Sequence, residues 1–169
     1  MNRENFYFKL DKILPSNNNQ TSPRIYLTRI SFDGLYDFHE YSTSDPRFYK
    51  YLEYEPFKDI EESKNYLTRL LNLEDGVDKR TNISWFIRLA DNDKVIGTAR
   101  LIDIDFERQS VSWGYGISTE FWGQGYVFEV QEILLHYIFD TLKLNRLSGI
   151  ARIDNLPTIL TLKKMGFKE

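Results

Sequence analysis

Cysteine is absent from the 169-residue chain. That absence excludes disulfides, thiolate metal sites, a cysteine nucleophile and any acyl-cysteine intermediate. Histidine is scarce, with only His39 and His136, so a site built on several imidazoles is excluded too and no metal centre is expected. Neither sign of charge dominates: 22 basic residues stand against 25 acidic ones, a net charge of -3. Such a balance gives no global field for nucleic acid or an anionic membrane as main partner. No run approaches the ~20 apolar residues needed to span a bilayer. The N-terminal MNRENFYFKLDKIL scatters its charges and has no signal-peptide core. The expectation is a cytoplasmic protein.

What is present is a globular composition, with 41% hydrophobic and 15% aromatic residues. Phe6, Phe8 and Leu10 alternate like a short strand, and PSNNNQTSP (15–23) is a polar, turn-rich loop. Residues 1–23 are therefore expected to be an N-terminal extension and loop, with one domain over 24–169. In that domain the pattern predicts a strand over 24–30, short helix 32–40, an irregular aromatic stretch 41–58 and helix 59–73. Strands over 84–89, 95–104 and 111–117, separated by turn residues, form an antiparallel meander. A helix over 129–142, strand 146–153 and helix 157–165 complete the chain. Gly166 stops the last helix.

Ser118 to Val130, STEFWGQGYVFEV, is the segment with chemistry in it. A strand ends at Ile117, Gly123 and Gly125 follow one residue apart, and a helix begins at once. Unpaired N–H groups at a helix start, with glycines that let backbone come close, suit a pyrophosphate. The segment is neither a P-loop nor a dinucleotide fingerprint, because no Gly-Lys-Ser/Thr follows and bulky Phe128 holds the place of the third glycine.

Four stretches together resemble the GCN5-related N-acetyltransferases, above all the branch that includes the ribosomal-protein N-terminal acetyltransferases. Arg24-Ile25-Tyr26-Leu27-Thr28-Arg29 is similar to that branch's opening strand, and Ser44-Asp45-Pro46 with Lys50-Tyr51-Leu52 to its next block. Phe121-Trp122-Gly123-Gln124-Gly125-Tyr126, followed by Glu129, resembles its W-G-x-G-Y-x-x-E acetyl-CoA loop. Asn155 with Thr158, and Lys164-Met165-Gly166-Phe167, resemble its closing signature.

The resemblance implies a mixed, mostly antiparallel sheet flanked by helices, without the last strand pair of relatives. It implies acetyl-CoA as co-substrate and a primary amine, on a small molecule or a protein N-terminus, as acceptor. Ile117, the amides of Trp122, Gly123, Gln124, Gly125, Tyr126 and Val127, and Asn155 would hold the cofactor, its pantetheine lying where the strand ending at Ile117 splays from strand 146–153. Asn155 is equally suited to cap the last helix. The aromatic stretch from Phe48 to Phe57 would shape the acceptor pocket, and Glu53 and Glu55 within it would suit a cationic amine.

Departures from the family are specific. Glu120 opens the loop where Gln or Arg is common, and Val127, Phe128 and Val130 replace small or hydroxyl residues. Ser112 and Leu162 stand where relatives carry a catalytic Glu and Tyr. Chemistry still requires an amine to lose a proton and the thiolate to gain one. Tyr115 and Ser112 are the candidate acid/base groups, with Glu129 less suited. Direct attack in a ternary complex is the expected mechanism, and a non-catalytic acyl-CoA-binding or regulatory module is the alternative. A strand 146–153 left at the sheet edge calls for cover, by the N-terminal extension or by a second copy in a homodimer.

Overall fold

Backbone alternation sets two faces on a six-stranded sheet in the computed structural model, which describes residues 12–13, 24–52, 54–74 and 81–168. The strands follow chain order: β1 (Lys12–Ile13), β2 (Ile25–Arg29), β3 (Thr81–Leu89), β4 (Val95–Asp105), β5 (Ser110–Ile117) and β6 (Arg146–Ser148). Neighbours are antiparallel except the parallel pair β5/β6. This is the mixed, mostly antiparallel α/β architecture that the family resemblance implies, with the meander that the pattern predicts.

One face carries Ile25, Leu27, Trp85, Ile87, Leu101, Trp113 and Ile117, all buried. Helix α3 (Tyr126–His136) covers it with Val130, Ile133 and Leu134. The opposite face lies under α1 (Leu35–Thr43) and α2 (Ile60–Glu74), where Phe38, Tyr41, Phe48, Tyr49, Leu67, Leu70 and Phe86 form a second core. Asp59 caps α2 by accepting from the Glu62 N–H at 2.9 Å. Arg88 is nearly buried on this face, yet all its nitrogens are used: Nε donates to Thr28, one terminal nitrogen to the Asp93 carbonyl and the other to Asp33, each at 2.9 Å.

Three expectations need correction. The helix predicted over 129–142 starts earlier and does not stay α-helical: Tyr137–Thr141 is a π-helical turn, with the Leu142 N–H donating to the Tyr137 carbonyl at 2.9 Å. Tyr137 and Ile138 continue the buried stripe of Ile133 and Leu134, while Phe139 and Asp140 face out. The strand predicted over 146–153 is only Arg146–Ser148, and Ile150 and Ile153 are 97% and 91% exposed. Finally, Lys12–Ile13 pairs with β2, at the sheet edge farthest from β6, so this part of the extension does not cover β6. Phe6, Phe8 and Leu10 lie outside the described residues.

After β6 the chain reaches α4 (Leu156–Lys164), capped by the Asn155 side chain, whose Oδ1 accepts from the Thr158 N–H at 3.3 Å. Gly166, at φ +89°, ends it, and the Phe167 ring then stacks on Trp113 of β5 with centroids 5.5 Å apart. The closing Gly-Phe pair thus docks α4 beside β5.

Candidate active site

Strand β5 leads straight into the glycine loop. Ser118 donates its N–H to Ile96 at 2.8 Å, which fixes the strand end. A 3-10 turn follows (Thr119–Phe121), and the Trp122 indole folds back so that Nε1 donates to the Ile117 carbonyl at 2.8 Å. Gln124 Nε2 donates to the Glu120 carbonyl at 2.7 Å, closing the loop on itself. Gly123 and Gly125 hold φ +74° and +85°, which side-chain-bearing residues rarely adopt. Gly125 is the N-cap of α3. Among the described residues nothing accepts from the N–H groups of Gly123 to Val127, and a Cβ on Gly123 would meet nothing within 4 Å. The loop presents a run of free amides around an open space.

Arg24 fastens this loop from β2's side. It donates from Nε to Glu129 at 2.7 Å and from a terminal nitrogen to the Gln124 carbonyl at 3.0 Å. Its guanidinium also lies 4.1 Å from the Tyr126 ring centroid. Glu129 is therefore an anchor for Arg24 rather than a free acid. The first-turn substitutions divide by direction: Val130 is fully buried in the core, Val127 is half-buried, and Phe128 faces out. A second fastening comes from Thr119, whose hydroxyl donates to Asp45 at 2.9 Å. Arg47 pairs with the same carboxylate and, with its N–H at 2.9 Å, holds Asp45 well below the ordinary carboxylate range.

Beside the loop the sheet opens. The β5/β6 ladder runs Ser110↔Arg146, Val111↔Leu147 and Ser112↔Ser148, then stops, while β5 continues from Trp113 to Ile117. The expected splay between these strands starts at that point. Asn155 stands beyond β6, half-buried, in its capping role.

Tyr115 and Ser112 lie on opposite faces of β5, so the structure does not bring them together. Tyr115 faces α3, where its hydroxyl accepts from Nε2 of fully buried Gln131 at 2.8 Å. Burial raises the Tyr115 phenol above its ordinary value, partly offset by the Gln131 bond. Gln131 escaped the sequence reading; its signal is one amide within an otherwise apolar helix face. Ser112 faces the α1–α2 side, its hydroxyl 2.7 Å from that of Ser148. Next to it is an open polar groove of about 190 Å³ whose walls include Asp103, Asp105, Arg108 and Arg146. The aromatic cluster closes the same face farther along: Phe48 comes within 3.2 Å of a Cβ built on Gly116. Glu55 is exposed, and Glu53 lies outside the described residues.

The histidines are engaged elsewhere. His39 Nδ1 is 2.8 Å from the Ser63 hydroxyl, and His136 Nδ1 is 2.5 Å from Asp140. Among the described residues no cluster could hold a metal ion, and no helix is long and apolar enough to cross a membrane.

Comparison with known proteins agrees with this geometry. The model of the acetyltransferase (GNAT) domain matches residues 24–168. The uncharacterized N-acetyltransferase p20 of Bacillus licheniformis is 30% identical over 128 residues, 75% of this chain and 69% of that protein. The microcin C7 self-immunity acetyltransferase MccE, solved with acetyl-CoA and AMP, superposes with a TM-score of 0.75 at 19% identity, over 86% of this chain and 79% of that one. The spermidine N-acetyltransferase of Vibrio cholerae, solved with CoA and spermine, gives 0.71 at 19% identity, over 86% and 82%. The chain thus belongs to the GNAT acetyltransferases, the family whose acetyl donor is acetyl-CoA.

Proposed function

We propose that the chain acetylates a primary amine by direct attack on acetyl-CoA in a ternary complex. The observation that carries this is the end of β5/β6 pairing at Ser112↔Ser148, beside a loop with free amides from Gly123 to Val127. The residues fit the donor. Those amides suit a pyrophosphate, Arg24, paired with Glu129, holds the loop at Gln124 and Gly125, and the gap flanked by Ile117 and Asn155 suits an extended pantetheine. The W-G-x-G-Y-x-x-E match at Trp122 to Glu129 favours the branch of the ribosomal-protein N-terminal acetyltransferases.

The chain's own groups divide the proton work between the two faces. Tyr115 accepts a hydrogen bond from Gln131, so its own proton remains to be given, and it suits the departing thiolate. Ser112, beside Ser148 and the polar groove, suits relay of the amine's proton. Without a cysteine the acetyl group passes in one step: the amine nitrogen forms the bond to the carbonyl carbon and the C–S bond breaks.

The test is CoA release measured across an amine panel. Initial rates against amine at several acetyl-CoA levels should give intersecting lines. Parallel lines, or an acetylated protein that turns over in intact mass spectrometry, would remove direct attack. Acetyl-CoA binding without CoA release from any amine would favour a non-catalytic acyl-CoA module.

A further inference from the structure

Arg100 lies at the centre of β4, opposite Gly114 of β5 and Ser84 of β3. Alternation puts it on the α1–α2 face, with Ser112 and with Gly116 under Phe48. Its surroundings leave it unused. Among the described residues its side chain makes no hydrogen bond or ion pair, and its Nε is buried from water with no acceptor. A guanidinium carries five donors and no acceptor, and a buried donor without a partner is costly. The place opposite is empty, since a Cβ on Gly114 would meet only Ile102 Cδ1, at 3.8 Å. Gly114 is also the first residue on this face of β5 after its pairing with β6 ends.

We infer that Arg100 recognises an anionic group, a carboxylate or phosphate, on a small amine acceptor whose body lies over Gly114. The inference rests on the proposed amine transfer and names the class of acceptor. Three observations converge on it. The guanidinium is unpaired on a face left bare at Gly114, and Gly114 follows where the strands part. A planar guanidinium also binds carboxylate or phosphate through two parallel hydrogen bonds, which orients the acceptor as well as holding it. The third observation is Ser112, in the place of a carboxylate base. A cation near the acceptor nitrogen disfavours the ammonium form, which eases loss of its proton without a strong base. The same cation repels a polycationic acceptor, contrary to the preference read from Glu53 and Glu55.

Matched amines separate the possibilities: 4-aminobutyrate against butylamine for carboxylate, glucosamine 6-phosphate against glucosamine for phosphate, and spermidine as the cationic arm. Binding to the CoA-loaded protein by calorimetry and CoA release are both read. The anionic member of at least one pair should be favoured by about tenfold or more, the scale of one charge-assisted contact. Arg100→Gln should abolish that preference with acetyl-CoA affinity unchanged, and Arg100→Lys should keep part of it. Gly114→Val, which fills the bare place where the backbone has room, should weaken the anionic amine with the melting temperature retained, so the test survives a poorly folding Arg100 variant. Parity within both pairs, a preference for spermidine, or a preference that Arg100→Gln leaves intact would overturn the inference. Arg100-dependent binding without CoA release would defeat the transfer reading alone. Brisk CoA release with parity would defeat only the role of Arg100.

Discussion

Arg88 and Arg100 occupy adjacent strands and the same face of one sheet, yet their surroundings differ in kind. Arg88 is enclosed, with Thr28, Asp33 and the Asp93 carbonyl taking its donors. It ties β2, the entry to α1 and the β3–β4 turn together. Arg100 has the same chemistry and none of the partners. Folding has satisfied the first guanidinium and left the second available, and the second stands beside the parted strands. Burial alone does not separate a structural arginine from a recognition arginine; the inventory of acceptors does.

The sharpest break in that comparison is stability. Arg88→Met should cost about 2–3 kcal/mol, from three lost hydrogen bonds, with the pair to exposed Asp33 counted lightly. Arg100→Gln should change stability by less than about 1 kcal/mol, since nothing in the fold leans on it. Urea unfolding of the two variants measures both, and equal losses would erase the distinction. Gly125→Pro comes next, as a test of the amide loop: it removes a donor and forces φ to about −65°, where the backbone has +85°. Acetyl-CoA binding should vanish, while Glu120→Gln leaves it intact or tighter; wild-type affinity in Gly125→Pro would move the cradle elsewhere. Tyr115→Phe should lower kcat by ~10²-fold with little change in KM. Gln131→Leu should lower it less, and an unchanged rate in both returns the pair to packing. A further effect is alkaline. Burial raises the phenols of Tyr41, Tyr54, Tyr115 and Tyr137 above their ordinary value. The unfolded chain, whose tyrosines titrate near ~10, then binds fewer protons than the folded one above that pH. Stability is therefore complete below pH ~10 and falls as pH rises through the folded values. Urea midpoints between pH 8 and 11 read this directly.

Much of the fold was legible because the meander writes its period into the sequence. Ile25/Leu27, Ile83/Trp85/Ile87 and Val111/Trp113 alternate, and each set is buried on one face. The glycine loop was legible because Gly123 and Gly125 have few other uses at the start of a helix. Residues 146–153 were misread for a physical reason: Ile150 and Ile153 have strand-like character, but no neighbouring strand takes up their backbone and both remain in solvent. The π-turn was hidden because Ile133, Leu134, Tyr137 and Ile138 keep the ordinary helical period, which reads the same whether or not the last turn widens. Facing, by contrast, was legible. Ser112 and Tyr115 are three residues apart on a predicted strand, so alternation already implied opposite sides, a consequence the candidate pairing left aside. Gln131 and Arg100 acquire meaning only from what they touch or fail to touch.

The Thr119–Asp45 hydrogen bond joins the loop proposed for the donor to the turn that carries Phe48 over Gly116, on the face proposed for the acceptor. If this strut couples the two proposed sites, they share one free energy. Whatever factor acetyl-CoA applies to amine affinity, the amine must apply to acetyl-CoA, because the thermodynamic square has to close. Asp45→Asn weakens the strut without disturbing a contact to either substrate, so any interdependence of the two affinities should shrink from both directions by the same ratio.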